Sequence, residues 1–301
     1  MSKTLRVRTR QGWTTKPAPD LAENRLTAEE VDDNFLTLED DIDDVSKKTG
    51  LELIEAGVDP ALARAVAYND IGAPVAGGYF AGVIDTIKGT IQTSPADAYQ
   101  TGLRYALIVA PKDLEKPAGE RWFTSNSGTN SAARTRWNGL EATNAILALN
   151  DSNYEAHEHI RNIRASDPAP ATPGGSDWYM PAMDELELLY RNFKPNKANN
   201  FTDDRSATFP GNQVQGTNPS SDPQGSPYAN NPRSPEKTPV IGMRESEVES
   251  LDQLRYWSST EAQNDRAWVQ IFTTAGGEGT QGGTNKTRTD GSVRPVRRVV
   301  L

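Results

Sequence analysis

Five apolar residues, Val31, Phe35, Leu38, Ile42 and Val45, recur at spacings of 4, 3, 4 and 3, the heptad seam of a coiled coil. Thr27 and Glu30 just ahead of them have the spacing of a capping box and mark the start of that helix. The seam is short, and Asp20 to Asp44 holds eleven acids against the single base Arg25. A lone helix of this kind is marginal and its charges repel one another. The pattern therefore asks for a covering surface. Residues 27–48 are expected to form a short coiled-coil helix that associates with copies of itself, as a homotrimer, with those five residues at the contact. An amphipathic helix lying on its own domain fits the same spacing.

The segments on either side differ in character. Residues 1–26 start with Lys3, Arg6, Arg8, Arg10 and Lys16 and no acid before Asp20. Thr4-Leu5-Arg6-Val7-Arg8 alternates as a half-covered strand does, while Gly12, Pro17 and Pro19 break the pattern beyond it. This reads as an extended arm that docks on something larger, or as a frayed end. Residues 49–76 read as a connector with one short helix, capped by Asp59 with Pro60 at its first position.

Residues 77–301 carry the signals of one mixed α+β unit. Strands are expected at Tyr79 to Ile84, Tyr105 to Ala110, Arg121 to Thr124, Tyr256 to Thr260, Ala267 to Thr274 and Ser292 to Leu301. Helices are expected at Asn138 to Leu149, Asn153 to Arg164 and Met183 to Phe193, the last with Leu186, Leu189, Tyr190 and Phe193 on one stripe. The strand at Tyr79 is expected to pair with the last one, bringing the two ends of the unit together. Residues 195–239 hold eight of the chain's twenty prolines and read, with their continuation to 250, as a long loop. A loop of that size is a binding surface or a flap more often than a core element.

Composition narrows the chemistry. A net charge of -9, from 32 basic and 41 acidic residues, argues against nucleic acid as a partner. No apolar run approaches the length of a membrane span, and no apolar segment follows the first basic residues, so neither membrane insertion nor Sec targeting is expected. The absence of cysteine removes thiolate sites and cysteine nucleophiles. The two histidines, His157 and His159, are two residues apart, so on a helix they point away from each other and cannot share a metal. They read as solvated side chains. The glycines at 276, 277, 279, 282 and 283 lack the lysine and hydroxyl residue of a phosphate-binding loop. No catalytic residue, metal or cofactor is expected. Trp178, Trp257 and Trp268 read as core.

Five motifs in order carry a resemblance: Gly77-Gly78-Tyr79-Phe80-Ala81-Gly82, Tyr105-Ala106-Leu107-Ile108-Val109-Ala110-Pro111, Asp177-Trp178-Tyr179-Met180-Pro181 leading into Asp184-Glu185-Leu186, Tyr256-Trp257-Ser258-Ser259-Thr260-Glu261, and Val293-Arg294-Pro295-Val296-Arg297-Arg298. Together they resemble the DUF1566 family, a branch of the C-type lectin fold found in bacterial adhesins and phage fibres. Leu26 to Leu36 is similar to a segment common in phage tail-fibre and other virion proteins. The resemblance implies a C-type-lectin-like domain over 77–301 behind an arm and a short stalk. It implies a virion location, with the arm attached to other virion proteins and the domain binding a host-surface ligand, a glycan being expected. A capsid or tail decoration protein with no specific ligand is the alternative. The Trp257 strand continues Ser-Ser-Thr-Glu where calcium-dependent relatives carry their ligand sets, which puts calcium in doubt.

The ligand is expected on polar loops: Gln263, Asn264, Asp265 and Arg266 after the Trp257 strand, and Gln281, Thr284, Asn285, Lys286 and Arg288 in and after the Gly-rich stretch. Amides, carboxylates and guanidinium groups supply the paired donors and acceptors that saccharides need, and glycine lets the backbone approach closely. The insert 195–239 is the rival surface.

Overall fold

The computed structural model describes residues 4–9 and 12–17 as backbone, and 49–87, 102–125, 131–167, 175–202, 214–252, 254–272 and 278–301. The expected coiled-coil helix and its seam, Val31, Phe35, Leu38, Ile42 and Val45, lie outside these residues. In the arm, β1 (Thr4–Thr9) and β2 (Gly12–Pro17) pair antiparallel as a two-stranded ribbon.

The stretch expected as a connector belongs to the core. Residues 49–55 are helical (α1) and α2 spans Pro60–Ala67. The Asp59 carboxylate accepts from the Ala61 and Leu62 amides at 3.0 and 3.2 Å, filling donors that the helix leaves open at its start. Leu53, Leu62 and Ala65 pack with Phe80, Ala106 and Ile108, so the folded unit begins well before residue 77.

The first sheet begins with β3 (Pro74–Val75), β4 (Gly78–Asp85) and β5 (Arg104–Val109). The second begins with β6 (Lys116–Glu120). After it come three helices, α3 (Gly139–Ala148), α4 (Glu155–Ser166) and α5 (Met183–Phe193). The insert holds three two-residue strands, β7 (Ser221–Asp222), β8 (Ala229–Asn230) and β9 (Arg233–Ser234). The chain then runs through β10 (Arg255–Gln263), β11 (Arg266–Ile271), β12 (Gln281–Asn285), β13 (Gly291–Val293) and β14 (Val296–Val300). The strand orders are β14-β5-β4-β3, with β7 also on β4, and β12-β11-β10-β13-β6. The α+β class expected from the sequence stands.

Three strand expectations change. β4 and the final strand do not pair with each other, because both flank β5. Tyr79 lies opposite Val109 and Asp85 opposite Arg104, and the Leu301 amide donates to the Arg104 carbonyl. The ends of the unit therefore sit at opposite ends of β5 rather than together. The segment Arg121–Thr124 is not a strand: the Phe123 amide donates to the Lys286 carbonyl and the Thr124 amide to that of Asn153, so the chain crosses between elements. Finally, the run from Ser292 to Leu301 is divided between the two sheets at Arg294-Pro295. Pro295 has no N–H to continue a ladder, and the buried Arg294 guanidinium binds the Ala110 carbonyl at 2.8 Å and the Glu115 carboxylate at 2.9 Å.

Helix α5 joins the two sheets. Leu186, Leu189, Tyr190 and Phe193 pack with Tyr105 and Leu107 of the first sheet and Tyr256 and Phe272 from the second sheet's side. Its start is fixed by Glu185, whose carboxylate accepts from the Ala182 amide and from the Tyr105 and Tyr179 hydroxyls, each at 2.7 Å. Helices α3 and α4 pack with Trp122, Trp257 and Val269. Trp178, Trp257 and Trp268 are all buried, at 0, 0 and 2% exposure, in keeping with their reading as core.

Candidate functional site

The ladder of the second sheet gathers most of the residues singled out for their chemistry. Gln263 and Arg266 face each other across the β10–β11 hairpin, leaving Asn264-Asp265 as its two-residue turn, where short polar side chains are favoured. Strand β12 runs back along β11 with Asn285 opposite Arg266 and Thr284 opposite Ala267. Gln263, Asn264 and Arg266 are exposed, and Asp265, Thr284 and Asn285 are partly so. Six of the nine candidates thus share one end of one sheet.

Lys286 is not among them, although it is adjacent in sequence. It is 0% exposed and forms an ion pair with the equally buried Glu261. Its ammonium also donates to the Asn264 carbonyl at 2.9 Å and lies 4.6 Å from the centre of the Trp122 ring. Burial pushes the lysine down from its ordinary value, and the hydrogen bond and charge of Glu261 oppose that shift. Lys286 therefore anchors the turn from below and offers nothing to a surface ligand. Removing one partner from such a pair costs about 3–5 kcal/mol, because the other is left buried and charged.

Gln281 is also placed otherwise than expected, while Arg288 is exposed as expected but already paired. Gln281 is buried at the far end of β12, opposite Gln270. Its carbonyl accepts from the Gln215 side-chain amide at 3.1 Å, and its own amide donates to the Gln215 oxygen at 2.7 Å. Arg288 is exposed beyond the strand and donates to Asp290 at 2.8 Å. The Arg288 hydrogen bond, with Arg255 beside it, holds Asp290 down to about 2.

Arg134 had no signal of its own in the sequence, and Glu261 was marked only as the end of a motif, not as the partner of Lys286. The guanidinium of Arg134 lies 3.5 Å from the Asn264 side-chain oxygen and 3.7 Å from the Glu261 carboxylate. Glu261 is 25 positions from its lysine, a separation no local pattern reports.

Of the two histidines expected to be solvated, His159 is partly exposed and His157 is not. His157 is 0% exposed, edge-on to Trp122 at 5.2 Å and to Tyr154 at 5.9 Å. Burial, with Arg164 adding to it, pushes it down to about 3. His159 contacts the Leu114 carbonyl through Nε2 at 3.1 Å. Among the described residues no group of three or more His, Cys, Asp or Glu is placed to hold a metal ion.

A second chemically unusual pair, Lys194 and Glu278, lies beneath the insert. Burial lowers the lysine to about 8 and raises the glutamate to about 7. The values suit proton transfer, yet both residues are enclosed, at 0 and 1% exposure, so a substrate has no access to them. In the rival surface, three of the described asparagines are similarly occupied. Asn200, Asn218 and Asn230, amides of the kind that would make the insert a binding face, are spent on internal hydrogen bonds.

No family model matches the chain, and no curated protein matches it. A solved structure of a fimbrial protein from Bacteroides ovatus is similar at 15% identity and a TM-score of 0.36, over 73% of this chain. This chain spans 43% of that one, and a likeness at this level carries no argument about fold or function.

Proposed function

We propose that this protein is a phage virion fibre whose C-terminal unit is a C-type-lectin-like head that binds a host-surface glycan without breaking a bond. In this reading residues 1–26 attach to other virion proteins and residues 27–48 trimerise as a stalk. The observation that supports it is the convergence of two separately coded polar loops on one sheet end: Gln263, Asn264, Asp265 and Arg266 beside Thr284 and Asn285. They stand on a rigid base, the Lys286–Glu261 pair packed against Trp122, and well-fixed placement of polar groups is what saccharide recognition requires. One such shallow site is weak, and three at the end of a shared stalk gain by effective concentration.

The test is adsorption. Changing Asn264, Asp265 and Arg266 together to Ala is expected to abolish attachment to the host bacterium while the melting temperature stays at the parent value. Unchanged attachment would remove the sheet end from consideration. A separate measurement addresses the stalk: Phe35→Asp is expected to convert a trimer to a monomer by light scattering, and a monomeric parent would refute the trimer.

A further inference from the structure

We propose that Lys194 and Asn200 join through their side chains in an intramolecular amide bond, with Glu278 as the acid–base group of the reaction. The substrate is the chain itself, so the enclosure that bars an outside molecule from the pair is no obstacle.

Separate parts of the fold bring the groups together. Lys194 follows the last residue of α5, four positions after Tyr190, a spacing that puts two side chains on one face. Asn200 forms a bridge with Glu278, whose carbonyl accepts from the Phe201 amide at 2.6 Å. Lys194 is the foremost charge acting on Glu278, and Glu278 the foremost acting on Lys194 and on Tyr190. Arg233, Glu236 and Glu245 are the other charged groups that bear on the pair. The Lys194 nitrogen lies 2.7 Å from the Asn200 side-chain oxygen. The carbon carrying that oxygen is one C=O bond further, so nitrogen and carbon are no more than about 3.9 Å apart. That is close to the separation of reacting atoms, and groups held so on one chain gain the high effective concentration of an intramolecular step.

An ammonium is no nucleophile and an amide is a reluctant electrophile; the surrounding groups meet both difficulties. Lys194, Asn200 and Glu278 are 0, 3 and 1% exposed. Burial lowers the lysine and raises the glutamate, which favours amine and carboxylic acid over the ion pair. Neither carboxyl oxygen of Glu278 has a hydrogen-bond partner among the described residues. That is rare for a buried acid, and it leaves both oxygens free to pass protons. The Tyr190 hydroxyl donates to the Asn200 side-chain oxygen at 2.9 Å, where negative charge develops as the nitrogen attacks. The Ala229 and Pro235 carbonyls accept from the Asn200 side-chain nitrogen at 2.9 and 3.1 Å and so fix the leaving group.

The reaction balances with no outside reagent. The Lys194 ammonium gives a proton to the Glu278 carboxylate, and the freed lone pair on Nζ forms a bond to Cγ of Asn200 while the C=O electron pair moves onto Oδ1. Glu278 then protonates Nδ2. The electron pair returns from Oδ1, the Cγ–Nδ2 bond breaks and ammonia departs. Glu278 takes one proton from Nζ and yields it to the ammonia, which leaves as ammonium. The product ties the end of α5 to the residue through which Ala229, Asn230 and Pro235 are held.

The experiment is an intact-mass measurement of the full chain, followed by tryptic mapping after denaturation. The parent is expected to weigh less than its sequence by one ammonia. Trypsin cuts after Lys197, between the two joined residues, so peptides 192–197 and 198–205 are expected to stay linked. A succinimide at an asparagine also loses ammonia but leaves those peptides separate, which would overturn the inference, as would a parent of full sequence mass. Glu278→Gln, which keeps the shape of the side chain but cannot pass the proton, is expected to give the full mass and two separate peptides. Linked peptides in that variant would overturn the role of Glu278. Should the variant fold poorly, the peptides of the unaltered protein decide the matter.

Discussion

Asparagine occurs both in the insert and at the end of the second sheet, and Asn200 and Asn218 in the one are used in the opposite way to Asn264 at the tip of the other, where Asn285 holds Thr287. In the insert Asn200 has every polar group engaged. Its side-chain oxygen accepts from Tyr190 and Lys194, its side-chain nitrogen donates to the Ala229 and Pro235 carbonyls, and its main chain exchanges two bonds with the Asn230 side chain. Asn218 likewise donates to the Asp184 carbonyl and the Glu187 carboxylate and accepts from the Ser220 and Ser221 amides. At the sheet end Asn264 makes one long side-chain contact, with Arg134 at 3.5 Å. The same residue type is internal cement in one place and an open hydrogen-bonding group in the other. Amide content alone therefore says little about binding; what counts is whether the backbone around it has already claimed the donors and acceptors.

The sharpest way to break this contrast is at the base of the sheet end. Lys286→Met takes the lysine away from the buried Glu261 and leaves the Arg134 guanidinium at 3.7 Å as its charged neighbour, so about 3 kcal/mol of stability, the low end for breaking a buried pair, should be lost in a urea melt. A loss below about 1 kcal/mol would mean that Glu261 can reach water and the site is looser than described. Next in size, Asn200→Ala takes this partner from the Tyr190 hydroxyl and the Ala229 and Pro235 carbonyls and leaves the Lys194 ammonium with the Ala198 carbonyl, for a loss of about 3 kcal/mol. Protection of insert amides from hydrogen exchange should fall with it.

A third test reads the interior through a proton. His157 is held at about 3 against an ordinary 6.5, so the folded state binds fewer protons than the unfolded state below pH 6.5. Its contribution is complete above pH 6.5 and is lost as the pH falls toward 3. Between pH 7 and pH 5 the loss is about 2 kcal/mol. His157→Leu should remove that much of the pH dependence, measured as the difference between parent and variant melts, and identical slopes would place the ring in contact with solvent. The smallest effects belong to the side chains of the turn: Asn264→Ala and Asp265→Ala should each change stability by less than about 0.5 kcal/mol. A larger change would show that these residues are structural too.

Much of the framework was legible in the sequence. Helix α5 runs over Met183–Phe193 as its apolar spacing indicated, and Asp59 with Pro60 marked α2 because capping is a local matter. Strands were legible where a short apolar run marked them, as at Gly78–Asp85 and Arg104–Val109. β12 was not, since Gln-Gly-Gly-Thr-Asn has almost no apolar residue to mark a face, and it is held by its ladder to β11 and by the distant Gln215. The break at Arg294-Pro295 was hidden because the residues on both sides read as one strand. At the site, the exposed turn residues could be picked from their chemistry. The burial of Lys286 could not, for it depends on Glu261 and Trp122, which only the fold brings near. The insert was opaque for the same reason: side-chain-to-backbone bonds between Asn200 and Asn230 leave no periodic trace.

The order of strands in the first sheet sets how the unit would respond to a pull. A chain held at Gly78 and at Leu301 has β4 tugged one way and β14 the other, with β5 between them. Both ladders are then loaded along the strand axis, in shear, so their hydrogen bonds yield together instead of peeling one at a time. Mechanical lifetime under such a load is set by the unfolding barrier and not by equilibrium stability. Tension between those two points would thus meet the sheet in its most resistant direction, whatever the strength of the individual bonds.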